Sequence, residues 1–165
     1  MKYFYRFLLL PLLLLGLCAC RAPAQTVDIL NAICDLQTTL PAGQIYRMDA
    51  SPVDAAYADE ELLSVLYGNG SLPPEFEVIN DFSIRLCGFT APHELAVFRC
   101  VSQRDAYDVA QMCLRRAERL QINCRETEHA SLADGARVCI IGKYVLMATC
   151  NDPIAATEAG RRATR

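Results

Sequence analysis

The sequence predicts an α+β fold, a small and mostly antiparallel sheet packed against one long helix and two or three shorter ones. Three observations lead there. Ala106, Val109, Ala110, Cys113, Leu114, Ala117 and Leu120 recur at helical spacing as a single apolar stripe. Phe82, Ile84 and Leu86 alternate with other residues, as a half-buried strand requires. Two apolar runs, Val138–Ile141 and Tyr144–Thr149, flank Gly142-Lys143, and Gly-X between such runs suits a two-residue type II′ hairpin.

The elements follow in order. Thr26 to Leu36 reads as a helix with Val27, Leu30, Ile33 and Cys34 on one face and Thr26 as candidate N-cap. Pro41 and Gly43 end it, and Gln44 to Asp49 is a short strand. Asp59 to Tyr67 is a second short helix, with acids in its first turn where the helix dipole favours them. Gly68-Asn69-Gly70-Ser71 and Pro73-Pro74 break the chain before the strand Phe82–Cys87. Glu94 to Val101 is more continuously apolar, the pattern of a central strand or one covered on both faces. Ser102-Gln103-Arg104-Asp105 has capping-box spacing, with aspartate in the acidic position, and opens a long helix over Asp105–Gln121. Residues 122–135 are polar and read as irregular. Asp152-Pro153 is an N-cap followed by proline at the first helical position, which starts a last helix, Pro153 to Arg161. This order suggests a mostly antiparallel sheet with its helices on one side.

The chain begins differently. Lys2 and Arg6 make a short positive segment, and Phe7 to Leu17 is almost purely apolar. A spanning helix needs roughly twenty apolar residues, so this stretch, interrupted by Pro11, fits a signal sequence better than a membrane span. Leu17-Cys18-Ala19-Cys20 resembles a lipobox, with leucine three places before the cysteine and a small residue just before it. The expected organisation is therefore a signal peptide over residues 1–19, a lipidated Cys20 with a short tether over 20–25, and a single α+β domain over 26–165. Buried acyl chain contributes about 0.8 kcal/mol per CH₂, and two chains anchor a protein stably. The alternative is an ordinary cleaved signal with Ala22-Pro23-Ala24 near the cut.

Composition bounds the partners. The chain has 165 residues, and removal of the first nineteen leaves 146, enough for one domain with a core of its own. The formal charge is −3, and loss of Lys2 and Arg6 takes it to −5. No basic run tracks phosphates, so nucleic acid is not an expected partner. The expected location is the extracytoplasmic face of the cell membrane, held by the lipid anchor, with an envelope or membrane protein as partner.

Several of these segments together resemble a known family. Tyr67-Gly68, Phe82-Ser83-Ile84-Arg85, Thr90 to Arg99, the long helix, and Gly142-Lys143-Tyr144-Val145-Leu146 are similar to the bacterial domain of unknown function four-three-five-eight. The resemblance covers roughly residues 27–152. Its members are described as lipoproteins, mostly of Gram-positive bacteria, and the family brings no activity or functional residues. Where it often carries an aromatic-proline stretch, this chain has Ile122 to His129.

Catalytic chemistry finds little support. Seven cysteines lie beyond Cys20: Cys34, Cys87, Cys100, Cys113, Cys124, Cys139 and Cys150. Most sit at apolar-periodic positions and read as buried free thiols; an exported protein leaves one or two disulfides as the alternative. No Cys-x-x-Cys, Gly-x-Ser-x-Gly, phosphate loop or His-Glu-x-x-His is present, so no catalytic residue, cofactor or metal ligand is assigned. Two functions remain in view. One is a non-enzymatic binding or interaction module. The other is a thiol-dependent enzyme or redox lipoprotein using Cys124 and His129, set in the polar stretch Cys124-Arg-Glu-Thr-Glu-His129.

Overall fold

The computed structural model describes residues 23–37, 39–68, 70–88 and 92–165. The expected signal peptide and the candidate lipidation residue Cys20 lie outside them. Among the described residues five helices and five strands form, in the order α1 (Thr26–Leu36), β1 (Gln44–Arg47), α2 (Glu60–Tyr67), β2 (Ile79–Leu86), β3 (Glu94–Cys100), α3 (Asp105–Cys124), α4 (Ala130–Asp134), β4 (Arg137–Ile141), β5 (Tyr144–Thr149) and α5 (Pro153–Ala163). A 3₁₀ turn, Pro74–Val78, precedes β2. The strands make one antiparallel sheet in the order β1-β2-β3-β5-β4.

The expected α+β class holds, but the helices do not lie on one side. Successive strand residues face opposite ways, and both faces of this sheet are apolar. Ala96, Phe98, Val145 and Met147 point into one core with α2 and α3. Leu95, Val97, Tyr144, Leu146 and Ala148 point into a second core with α1 and α5. The continuous apolar run from Leu95 to Phe98 is the signature of this double cover, and β3 is indeed the central strand.

The caps explain where the helices begin. Asp59 accepts from the Leu62 N–H at 2.7 Å and starts α2. Asp152 accepts from Ala155 at 2.9 Å and starts α5. The Ser102–Asp105 capping box forms in both directions: Asp105 accepts from the Ser102 N–H at 2.8 Å, and Ser102 Oγ accepts from the Asp105 N–H at 3.2 Å. Thr26 is not a cap. It is the first residue of α1, is buried, and shares a 2.9 Å hydrogen bond with the Ser83 hydroxyl. The cap comes from the sheet instead, because the Thr26 N–H donates to Asp81 at 3.2 Å. The buried face of α1 is accordingly Thr26, Ile29, Leu30 and Ile33, with Val27 and Cys34 half-buried at its margin.

The stretch 122–135 is more regular than its polarity suggests. α3 runs on to Cys124, which extends the buried series Cys113, Ala117 and Leu120 by one more turn, and α4 follows. In the β4–β5 hairpin Gly142 adopts φ +60° while Lys143 keeps a negative φ, as the type II′ turn requires.

Candidate functional site

A groove of about 530 Å³ opens where the end of α2 meets α3. Its walls carry Tyr67, Leu72, Pro73, Pro74 and Ile122 beside Arg115, Glu118 and Arg119. The local sequence dictates this shape. Gly68 ends α2, and any Cβ there would overlap the Ser71 carbonyl, so only glycine lets the chain turn so tightly. Pro73 and Pro74 then set the 3₁₀ turn that forms the groove's far side. Arg119 reaches from α3 to donate to the Leu66 carbonyl at 2.6 Å and to the Gly68 carbonyl, satisfying the C-terminal carbonyls of α2. Arg115 pairs with Glu75 across the groove.

Beneath the groove sits a buried polar set. Glu94, only 2% exposed, opens β3. Its Oε1 accepts from the Tyr67 hydroxyl at 2.7 Å, and its Oε2 accepts from Arg116 Nε at 2.9 Å. Burial works against the Arg116 charge, but the adjacent carboxylate outweighs it and holds the guanidinium proton above its usual range. Burial, reinforced by the Glu94 charge, pushes Tyr67 well above an ordinary phenol. Burial lowers Arg119, with Arg116 as a second cause. Tyr67 also packs edge-on to Phe98, ring centroids 5.4 Å apart, in a cluster with Phe76 and Phe82. This set locks the groove floor, with Tyr67 and Arg116 both donating to the one buried carboxylate.

The sequence pairing of Cys124 with His129 does not form a unit. Cys124 is buried in the core at the end of α3, 6% exposed. His129 lies instead against His93, ring centroids 6.4 Å apart, in a recess of about 290 Å³ that Cys150 and Asn151 also line. Burial lowers His93, helped by the charge of His129, so it favours the neutral imidazole. Burial pushes the Cys150 thiol up to about 11. A raised thiol and a lowered imidazole around one recess shift away from the thiolate–imidazolium pair that thiol catalysis uses.

Four further thiols shift the same way. Burial raises Cys34 and Cys139, raises Cys113 strongly, and takes Cys100 to about 11. All seven cysteines of the described residues are free thiols. Among those residues no cluster of three or more His, Cys, Asp or Glu side chains is placed to hold a metal ion, and no helix is long and apolar enough to cross a membrane. Hydrophobic periodicity located α3, but the groove depends on a carbonyl cap by Arg119 and a ring cluster built from three segments, and neither leaves a local pattern in the sequence.

Compared with family models, with curated proteins and with solved structures, the chain matches none. The family resemblance drawn from the sequence gains no support from these comparisons.

Proposed function

We propose that the chain is a lipid-anchored module on the extracytoplasmic face of the membrane that binds a segment of an envelope or membrane protein, without catalysis. The observation that carries the binding half is the groove between α2 and α3. It offers apolar and aromatic walls for side chains, with Arg115, Arg119 and Glu118 at its margins for polar backbone or charged ends. Its floor is held rigid by Glu94, Tyr67 and Arg116, the preorganisation that a binding site rewards. The anchor half rests on Leu17-Cys18-Ala19-Cys20. The burial of Cys124 and the placement of His129 against His93 speak against the thiol-enzyme alternative.

The two halves have separate tests. Intact mass of membrane-extracted protein is expected to show a chain that starts at Cys20 with acyl mass added; a soluble form starting near Gln25 refutes the anchor. For the groove, a photo-crosslinking residue replaces Ile122, which is 62% exposed on its wall, or Tyr107, which is 59% exposed and does not line it. Crosslinks to a discrete protein from position 122 and none from 107 support the reading. Equal yields from both positions overturn it.

A further inference from the structure

We propose that the groove between the β4–β5 turn and the end of α5 seats the anionic headgroup of a phospholipid in the membrane that carries the anchor; the orientation, though not the charge chemistry, rests on the lipid-anchor reading above. The groove encloses about 410 Å³ and is lined by Pro23, Arg99, Lys143, Tyr144, Arg161 and Arg165, with no Asp or Glu among its lining residues. Three separate stretches deliver these cations: the end of β3, the hairpin turn and the last turn of α5. That convergence runs against the composition, in which acids outnumber bases by 19 to 16. Two side-chain carboxylates pair with these cations from the edge, both at long range. Asp81 is 3.9 Å from Arg99, and Glu158 is 3.7 Å from Arg161 with both side chains about half exposed. Asp28 lines the adjoining recess on the other side of Pro23. Arg99 Nε is buried and has no hydrogen-bond partner among the described residues.

A helix C-terminus attracts cations for its own stability. That accounts for Arg161 but not for Arg99, which comes from β3, or for Lys143, which sits in the hairpin turn with its ammonium donating to the Val101 carbonyl at 2.9 Å.

The position of the chain supplies the second argument. The Tyr144 hydroxyl donates to the Ala24 carbonyl at 2.8 Å and so fixes the incoming chain at the rim of this groove. Cys20 precedes Pro23 by three residues, and three extended residues span at most about 11 Å. An acyl group on Cys20 therefore holds the groove within about one Debye length of the headgroup layer, where charge is not screened away. The surface of an anionic leaflet is where converging Arg and Lys side chains gain most.

The test uses the chain from residue 20 with Cys20→Ser, which contains every described element and carries no acyl group, so its outcome speaks to the groove whether or not Cys20 is lipidated. Sedimentation is run with vesicles of phosphatidylcholine alone and of phosphatidylcholine mixed with phosphatidylglycerol. Binding to the anionic vesicles alone, weakening as salt rises, is expected. Lys143→Gln and Arg161→Gln are each expected to lower the partition roughly fivefold, on the scale of one near-surface cation. Lys143→Arg should restore it, and Arg125→Gln, outside the groove, should leave it unchanged. Thermal unfolding of each variant confirms that the fold is intact. Equal binding to both vesicles, or no effect of Lys143→Gln in a folded protein, overturns the proposal. So does saturation of the groove by inorganic phosphate in solution with no preference for anionic vesicles, which would make a free anion the ligand.

Discussion

Arg116 and Glu94 form a buried ion pair in which Nε and a terminal nitrogen of the guanidinium reach the same carboxylate oxygen, at 2.9 and 2.8 Å. The other carboxylate oxygen is taken by Tyr67. A pair of this kind adds little over an apolar replacement, but breaking it strands a charge. Arg116→Met is therefore expected to cost about 3–5 kcal/mol. The double variant Arg116→Met/Glu94→Leu should recover much of that loss and leave mainly the unpaired Tyr67 hydroxyl, about 1–3 kcal/mol. Urea titration of the three proteins gives the comparison. A double variant that is less stable than Arg116→Met would mean the pair contributes net stability.

Alkaline pH should unfold the protein earlier than a chain with ordinary thiols. Burial raises Cys100 and Cys150 to about 11 in the folded protein, and holds Cys113 and Tyr67 well above their ordinary values. In the unfolded chain these thiols ionise near 9, so between about 9 and 11 the unfolded state releases protons that the folded state retains. Their contribution is full below the unfolded value and is lost as pH rises through the folded one, up to about 2 kcal/mol for each of Cys100 and Cys150. The urea midpoint should fall steadily from pH 8.5 to 10.5, and Cys100→Ala/Cys150→Ala should flatten that slope.

Asp81 is expected to matter for α1 although it lies 55 positions away in sequence. Gln25, at the N-cap position, makes no side-chain cap bond, and Asp81 accepts the Thr26 N–H in its place. Asp81→Ala should cost about 1 kcal/mol, as much as Asp152→Ala at the conventional cap of α5. Hydrogen exchange should localise the first effect to the start of α1 and the second to the start of α5. Global exchange with no local bias in either variant would contradict the capping roles.

These cases show what was legible in the sequence. α2, α3, the hairpin and α5 were readable because each is specified by local chemistry: a cap, a stripe, a glycine with positive φ. The side of the sheet on which each helix packs is not local. Ala156, Ala159 and Gly160 leave α5 a small-residue face that lies on Leu146, and a Cβ at Gly160 would overlap that side chain. In sequence the same residues fall inside the expected last helix, Pro153 to Arg161, and do not say which face of the sheet it covers. The groove was illegible for the same reason, since it depends on Arg119 meeting carbonyls 51 and 53 residues earlier. The histidines show the converse: closeness in sequence suggested Cys124 with His129, while the fold buries one and turns the other towards His93.

The close approach of α5 gives a further prediction. Gly160→Val must displace Leu146 and Ile33, both buried, from a packed interface. Overpacking of this kind costs about 1–3 kcal/mol. The gain in helix propensity over glycine offsets less than about 1 kcal/mol of it. Thermal unfolding should show the loss. The paired variant Gly160→Val/Leu146→Ala, which opens the space, should be less destabilised than the sum of its single changes.

The tether makes the last prediction. Counted to the start of α1 it is five residues, Arg21 to Gln25, but the Tyr144–Ala24 hydrogen bond shortens the working length. From Cys20 to Ala24 the chain can span at most about 14 Å. A lipidated protein held this closely keeps the α2–α3 groove, on the far face of the sheet from the tether, within the width of the domain from the membrane. Inserting twenty flexible residues between Arg21 and Ala22 leaves the Tyr144 bond and both cores intact, so unfolding should be unchanged. Partner capture should weaken, because the effective concentration of the groove near the membrane falls as the linker lengthens. Crosslinking in cells from position 122, with the native and the lengthened tether, reads the difference. Crosslinks that go mainly to soluble or wall-bound partners, at the same yield with either tether, would rule out a membrane-proximal module.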